Sequence, residues 1–137
     1  MHGKTVLITG GTAGLGYATA TALARLGATV VITARDEARG RAAVAALNRR
    51  ADATPVRLLL LDLASFALIR DAAERFLNEC PRLDVLVNNA GVFTARLERT
   101  REGFELQFGV NHLGPFLLSR LLLPALEAAP APRLVNV

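Results

Sequence analysis

The chain alternates short apolar runs of strand length with longer segments of helical periodicity. The apolar runs show little polar alternation, which is typical of strands that are covered on both faces. The pattern predicts strands at 6–9, 29–33, 56–63, 84–87 and 133–137, and helices at 14–26, 37–50, 66–79 and 103–128. This order favours an α/β fold with a doubly wound parallel sheet, helices on both faces and right-handed crossovers.

Several residues mark where the predicted helices begin, bend and end. Asp36 and Ser65 are good amino-terminal caps for the second and third helices, and Gly27 suits the left-handed position after the first. The fourth helical segment contains Gly114–Pro115 and Pro124, so we expect kinks there. Because the fifth predicted strand reaches the last residue, the sheet is expected to be truncated after that strand, with an exposed edge or an unfinished fold.

Composition narrows the class of protein. With 137 residues, a hydrophobic fraction of 52% and no linker or repeat, the chain predicts a single domain over residues 1–137. A lone cysteine excludes an internal disulfide, and neither a run of about 18 apolar residues nor a cleavable leader is present, which predicts a cytoplasmic protein without a transmembrane segment. The net charge of +4 is spread along the chain, which argues against nucleic-acid binding.

A glycine-rich turn joins the first predicted strand to the first helix, with the sequence TGGTAGLG at residues 9–16. A dinucleotide pyrophosphate requires backbone N–H donors, an approach that no β-carbon blocks, and the positive end of a helix dipole. Glycines at this junction supply all three, although a tight structural turn is the alternative. The turn therefore predicts a nucleotide site in a Rossmann-type fold.

The end of the second predicted strand bears on which dinucleotide is bound. In such a fold this position faces the adenosine ribose, where an acidic residue would bind the 2′-hydroxyl. Here a small Ala34 precedes Arg35, whose guanidinium matches phosphate geometry. The alternative is a solvated arginine at a helix start, paired with Asp36 or Glu37. We therefore predict NADP rather than NAD as the cofactor.

Four strings occur in order along the chain: TGGTAGLG at 9–16, Asp62-Leu63 after the third strand, NNAG at 88–91 and VNHLGPF at 110–116. Together they resemble the short-chain dehydrogenase/reductase family, over essentially the whole chain. The stretch from NNAG through GFELQFGVNHLGPFLL is most similar to the retinol dehydrogenase and protochlorophyllide reductase-like branch. A sugar-nucleotide epimerase relative fits the NNAG and VNHLGPF strings poorly.

The resemblance implies a set of residues that bind NADP. These are Gly10, Thr12, Ala13, Gly14, Leu15, Gly16, Arg35, Asp62, Leu63, Asn89, Ala90 and Gly91. In the family the glycine turn carries the pyrophosphate, Asp62 and Leu63 border the adenine, and NNAG passes beneath the ribose while Asn88 braces neighbouring strands. From the residues alone, Asp62 could equally cap the helix that starts near Ser65, and NNAG could be a polar turn.

Asn111 matches the asparagine of the family's catalytic tetrad, which helps to hold a water in the proton relay. The alternative is a structural hydrogen bond at the kink beside Gly114–Pro115. His112 and Cys80 have no partner at metal-ligand or nucleophile–base spacing, so we expect both to be structural and no metal site.

Family members exchange a hydride between the nicotinamide and an alcohol or carbonyl, using a serine and a Tyr-x-x-x-Lys pair. This sequence stops just before the expected serine, Tyr17 is followed four residues later by Thr21, and Lys4 lies before the first strand. Ser65 is a cap and Ser119 lies inside a helix. The resemblance therefore implies the cofactor-binding half of an NADP-dependent oxidoreductase that is inactive alone.

The resemblance and the missing residues together lead to three further expectations. The isolated chain should be marginally stable or self-associating, or else it represents a truncated gene or an incomplete piece of the protein. The substrate of the full-length protein is expected to be a small alcohol or carbonyl compound, lipophilic in character. The apolar run at 103–128 is explained either by a homo-oligomer or by the chain's own core. The competing function is a non-catalytic NADP-binding or interaction module.

Overall fold

A computed structural model describes residues 1–50 and 54–137, which alternate strands with helices throughout. The strands are β1 (Thr5–Ile8), β2 (Thr29–Ala34), β3 (Arg57–Leu60), β4 (Val85–Asn88) and β5 (Arg133–Asn136). The helices are α1 (Gly14–Arg25), α2 (Glu37–Arg50), α3 (Phe66–Glu79), α4 (Leu106–Phe108), α5 (Gly114–Leu121) and α6 (Leu123–Glu127), with a π-helical turn at Gly109–Leu113 between α4 and α5.

All five strands form one parallel sheet in the order β3-β2-β1-β4-β5. The chain moves outward from β1 in one direction through β3 and then returns to build the other half from β4. The carboxyl ends of β1 and β4 therefore flank the point where the winding reverses, which is where ligands bind in sheets of this kind. The predicted doubly wound Rossmann-type sheet is confirmed.

The two faces of the sheet carry separate hydrophobic cores, because side chains alternate between faces along each strand. On one face Val6 and Ile8 of β1 pack with α1 and α2, where Ala20 and Leu47 are buried. On the other face the core is formed with α3, the π-helical turn, α5 and α6. Its most buried members there include Leu7, Ile69, Leu86, Leu118, Leu122 and Ala125. Much of the apolar run at 103–128 thus belongs to the chain's own core, while Phe116 is 61% exposed.

The predicted helices α2 and α3 have the expected bounds, and their caps explain why. Asp36 accepts a hydrogen bond from the Arg39 N–H at 2.7 Å, and Ser65 accepts one from the Leu68 N–H at 3.4 Å. Gly27 follows α1 with a φ of 81°. The strand predicted at 56–63 was too long, since β3 runs only from Arg57 to Leu60, although the Leu61 N–H still donates to the Ala34 carbonyl at 2.9 Å.

The helix predicted at 103–128 was wrong at its start, whereas breaks occur near both of the expected kinks. Gly103 has a φ of 87°, which no helix accepts, and helical structure begins only at Leu106. The expected kink at Gly114–Pro115 is a π-helical turn just before the proline. A second break falls at Leu122, so that Pro124 occupies the second position of α6, where its missing N–H costs little.

Candidate functional site

The turn between β1 and α1 requires glycine at four positions, one of them being Gly11, where a β-carbon would lie 2.5 Å from the Cβ of Ile32 on β2. Gly10 has a φ of 68°, and a β-carbon on it would lie 2.9 Å from the Cα of Ala90. Gly16 is buried, and a β-carbon there would lie 2.5 Å from Asn89 Nδ2. Gly14 has a φ of 55°, and no described atom beyond its own neighbours lies within 4 Å of the β-carbon position. The turn is thus packed on the side of β4 and open at the start of α1.

The amino terminus of α1 is suited to an anionic ligand. Ala13 occupies the capping position in an extended conformation, and its side chain cannot cap the helix. The first turn of α1 contains no acidic residue. The first backbone N–H groups and the positive end of the helix dipole therefore lack the side-chain partner that most helices have.

Thr9 ties the glycine turn to the NNAG segment, a role that the sequence does not reveal. Its side chain is fully buried, and Oγ1 accepts hydrogen bonds from the N–H groups of Asn89 and Ala90, each at 3.0 Å. In return, Asn89 Nδ2 donates to the carbonyls of Thr9 at 2.9 Å and Gly10 at 3.2 Å. Asn88 braces β4 as predicted, since its Nδ2 donates to Asn136 Oδ1 on β5 at 3.0 Å.

A cleft of about 620 Å³ opens at the carboxyl ends of β1, β2 and β4. Nine of the twelve predicted cofactor-binding residues line it: Gly10, Thr12, Ala13, Arg35, Asp62, Leu63, Asn89, Ala90 and Gly91. Of the other three, Gly14 and Leu15 are exposed at the start of α1, and Gly16 is buried under the turn. The structure thus brings the predicted residues together around one cleft.

Two arginines stand at the β2 end of this cleft. Arg35, which sequence reasoning identified, and Arg39, which it did not, both line the cleft and are exposed. Asp36 uses its carboxylate to cap α2, and Glu37 pairs with Arg41 at 2.6 Å, so the pairing of Arg35 with either acid is not observed. Because Arg39 lies four residues after Arg35, in the first turn of a predicted helix, its spacing could have identified it.

Asp62 and Leu63 form the wall of the cleft beyond β3. Asp62 Oδ1 accepts a hydrogen bond from the Ala64 N–H at 2.9 Å, and the Asp62 carbonyl accepts one from the Ser65 N–H at 3.3 Å. The carboxylate therefore shapes the turn before α3, and Ser65 caps the helix itself. Of the two roles considered for Asp62, helix capping belongs to Ser65.

Asn111 lies in the π-helical turn and clamps the backbone of Val92, just after NNAG. Its Oδ1 accepts a hydrogen bond from the Val92 N–H at 2.8 Å, and its Nδ2 donates to the Val92 carbonyl at 2.9 Å. Asn111 also lines a second cavity, of about 660 Å³, which shares Asn89, Ala90 and Gly91 with the cleft. The structural hydrogen bond considered for Asn111 is thus present, next to the cleft.

The sheet edge opposite the cleft carries a charged cluster. Asp84 has a side chain that is 1% exposed and accepts hydrogen bonds from Lys4 Nζ and the Thr5 N–H, each at 2.9 Å, with Arg82 Nε at 3.3 Å. Burial acts to raise the pKa of Asp84, but these hydrogen bonds and the two cations outweigh it and hold the pKa below its usual value. Lys4 is therefore committed to a structural ion pair far from the cleft.

Cys80 and His112 were both expected to be structural, and His112 is exposed and also lines the second cavity. Cys80 is buried at the end of α3, and His112 stacks on Phe108 with ring centroids 5.3 Å apart. Over residues 1–50 and 54–137, no group of three His, Cys, Asp or Glu side chains is placed to hold a metal ion. Across the same ranges, none of the helices has the length and apolar character needed to cross a membrane.

A parallel doubly wound sheet with a glycine turn, an uncapped helix start and a cleft at the switch point defines a dinucleotide-binding class of protein. The family profile described as "short chain dehydrogenase" matches residues 4–137. Retinol dehydrogenase 14 of Mus musculus is 50% identical, covering 100% of this chain and 44% of its own length. Dehydrogenase/reductase SDR family member 13 of Homo sapiens is 46% identical, covering 100% of this chain and 36% of its own.

Solved structures agree. The RhlG/NADP active-site complex of Pseudomonas aeruginosa superposes with a TM-score of 0.84 at 34% identity, covering 99% of this chain and 54% of that one. A short-chain dehydrogenase/reductase from Burkholderia phymatum in complex with NAD gives a TM-score of 0.81 at 29% identity, covering 98% and 48%. The chain belongs to the short-chain dehydrogenase/reductase family, in its retinol dehydrogenase-like branch, and spans less than half the length of these two curated relatives.

Proposed function

We propose that this chain is the cofactor-binding part of an NADP(H)-dependent oxidoreductase that acts on alcohols or carbonyls. The observation that carries the proposal is the cleft, where the glycine turn and the open start of α1 face the same space as Arg35 and Arg39. The residues present fit a dinucleotide: the turn would hold the pyrophosphate, Asp62 and Leu63 would border the adenine, and NNAG would lie under the second ribose. When bound, the nicotinamide supplies or accepts the hydride.

The two arginines support NADP rather than NAD. A hydrogen bond to a charged group contributes about 1.5–3 kcal/mol, which corresponds to a preference of roughly ten- to a hundredfold for the 2′-phosphate. Asp36, the acidic residue nearest this point, already caps the α2 terminus by accepting the Arg39 N–H. One of its two carboxylate oxygens is therefore used at the start of the helix.

Titration of the purified protein with NADPH and NADH tests this assignment. We expect Arg35→Ala to weaken NADPH binding by about tenfold or more while leaving NADH binding unchanged, because only NADPH carries the 2′-phosphate. Arg41→Ala is the matched control, since this exposed arginine lies on α2, close to Arg35 in sequence, but is paired with Glu37 and does not line the cleft. Equal affinity of the unmodified protein for the two cofactors would contradict the assignment, and no binding of either would remove the cofactor site.

The chain's own residues do not place the family's tyrosine–lysine pair at the cleft. The single tyrosine, Tyr17, is part of α1 and packs against the core, and the single lysine, Lys4, is bound to Asp84 at the opposite edge. We therefore propose that hydride transfer takes place only when further residues supply that pair, and that the 137 residues bind cofactor without turnover. Measurable oxidation or reduction by this chain alone would refute that step.

An apolar alcohol or carbonyl is the substrate class we propose. The second cavity lies beside NNAG and Asn111, and its lining includes Pro115, Phe116 and Leu123. Relatives named retinol dehydrogenase support the same class.

Self-association through residues 103–128 is a separate proposal, and the exposed Phe116 supports it. Size-exclusion chromatography with light scattering would detect a dimer, and we expect Phe116→Ser to abolish it.

A non-catalytic NADP-binding module is the second candidate, and the positions of Tyr17 and Lys4 favour it. The coding sequence downstream of Val137 distinguishes the two functions. An in-frame or frameshifted Tyr-x-x-x-Lys supports the enzyme, and unrelated sequence supports the module.

A further inference from the structure

Residues 98–106, here called the clasp, form a compact hairpin-like turn. Arg99 pairs with Glu105 in an antiparallel bridge, and the Thr100 N–H donates to the Phe104 carbonyl at 2.8 Å. The Leu106 N–H donates to the Glu98 carbonyl at 2.9 Å, which closes the base of the turn. The clasp includes the first four residues of the GFELQF string at 103–108. This string is separate from the glycine turn, from Arg35 and Arg39, and from NNAG.

The clasp forms hydrogen bonds and packing contacts with the turn that precedes α3 and with the first residue of that helix. Glu102 Oε1 accepts a hydrogen bond from the Phe66 N–H at 2.6 Å, and this is the first N–H of α3. The Arg101 N–H donates to the Ala64 carbonyl at 3.0 Å. The rings of Phe66 and Phe104 pack with centroids 5.8 Å apart. Three separate contacts thus join two segments that are more than thirty residues apart in sequence.

Both joined segments contribute to the cleft wall. Leu63 and Ala64 line it on the side of β3, and Leu106 and Val110 line it on the side of the π-helical turn. The clasp is anchored to that turn by packing, since Thr100 is buried and a β-carbon on Gly109 would lie 2.2 Å from its Cγ2. The clasp therefore connects the two sides of one wall.

We propose that Glu102 is a positioning residue that holds the Asp62–Ala64 turn in the conformation that receives the adenine half of the cofactor. The inference rests on the proposed cofactor site. Glu102 is exposed and acts through the Phe66 N–H rather than by contact with the cleft. A carboxylate near a helix amino terminus interacts with both the N–H group and the helix dipole, so its loss removes one of the three contacts that hold the turn on which Asp62 and Leu63 lie, and loosens that turn.

The first test needs no cofactor. In Glu102→Ala we expect amide hydrogen exchange of Ala64 and Ser65 to accelerate by about three- to tenfold, the range typical of a lost helix cap. Glu102→Gln keeps an acceptor oxygen and is expected to stay near the unmodified protein. Glu74→Ala is the matched control, an exposed acid of α3 for which the described residues provide no hydrogen-bond partner. Unchanged exchange in Glu102→Ala overturns the inference.

The second test divides the cofactor into its halves. We expect Glu102→Ala to weaken binding of NADPH and of adenosine 2′,5′-bisphosphate by a similar factor of about three to ten, with nicotinamide mononucleotide unaffected and Glu102→Gln restoring both. A general loss of stability would not separate the halves in this way. If the unmodified protein binds NADPH and Glu102→Ala binds it equally well, the inference fails. If the unmodified protein binds neither NADPH nor adenosine 2′,5′-bisphosphate, the proposed function fails instead. In that case the hydrogen-exchange test still decides the inference.

A paired substitution tests the anchor of the clasp independently. Gly109→Ala places a β-carbon against Thr100 Cγ2 and should displace the clasp, weakening adenosine 2′,5′-bisphosphate binding. Thr100→Ser removes that methyl while keeping the hydroxyl that accepts the Phe104 N–H at 3.3 Å. The next atom, Thr100 Cβ, lies at an ordinary 3.5 Å. We expect the double variant to regain binding, and failure to regain it contradicts the role of the clasp.

Discussion

Replacing Thr9 with valine removes one hydroxyl and keeps the shape of a fully buried side chain. In the native protein this hydroxyl accepts the N–H groups of Asn89 and Ala90. The Asn89 N–H also donates to the Val87 carbonyl at 3.1 Å, so it keeps a partner in the variant. Within the described residues the Ala90 N–H has no second acceptor, and it is the group that the substitution leaves unpaired.

The expected magnitude is set by that single N–H. An unsatisfied backbone donor that is half-buried costs about 1–3 kcal/mol. The hydrogen bond from the Thr9 hydroxyl to the Val87 carbonyl is long, at 3.4 Å, and adds little. We therefore expect Thr9→Val to lower the free energy of unfolding by about 1–3 kcal/mol, and to weaken NADPH binding at the proposed site because NNAG keeps only the Asn89 side-chain bonds to the glycine turn.

Urea denaturation of Thr9→Val and Thr9→Ser measures the effect. The serine variant keeps the acceptor and loses one methyl group, for a cost of about 0.8 kcal/mol. The reasoning requires the valine variant to be the less stable of the two. If Thr9→Val were as stable as Thr9→Ser, the hydroxyl would not be what joins the two segments.

Three further substitutions test other parts of the structure. Asp84→Asn should lower the free energy of unfolding by about 1–3 kcal/mol at neutral pH. Because the pKa of Asp84 in the folded protein lies below its usual value, the carboxylate stabilises the unmodified protein fully above about pH 4, and this contribution is lost as the pH falls further. Urea unfolding should therefore differ between the two proteins more at pH 7 than at about pH 2. Gly16→Ala should destabilise by roughly 1–3 kcal/mol in the same assay, since its methyl would overlap Asn89 Nδ2. Asn111→Ala should speed amide exchange at Val92, whereas Asn111→Asp keeps the acceptor for that N–H and should change it less.

The sequence predicted the elements best where local chemistry determines them. The bounds of α2 and α3 agree with the prediction because Asp36 and Ser65 cap them within three residues along the chain. Strand ends were displaced by one or more residues, since a strand ends where its neighbour stops pairing. Thus β3 ends at Leu60, where its pairing with β2 stops, although the predicted strand continues to Leu63.

The features that the sequence could not predict depend on contacts between distant segments. Thr9 reads as the last residue of an apolar strand, and its partners lie about eighty residues away. The bridge between Arg99 and Glu105 holds the residues before α4 out of the helix, and no helical periodicity reveals it; the helix start at Leu106 itself is local, since the Glu105 carboxylate caps α4 by accepting the Phe108 N–H at 2.7 Å. The π-helical turn likewise has no local signal beyond the proline after it.

The glycine turn and NNAG are the motifs that indicate cofactor binding most strongly. They also hold the fold together between the ends of β1 and β4, where the winding of the sheet reverses. Gly10 and Gly16 leave room for Ala90 and Asn89, and Asn89 bonds back to the turn. On the proposed cofactor site, a substitution there should lower binding whether or not the residue touches the cofactor, because it disturbs the contact between the two segments. Arg35 makes no such packing contribution and is exposed. Its substitution is therefore the one that separates recognition of the dinucleotide from construction of the cleft.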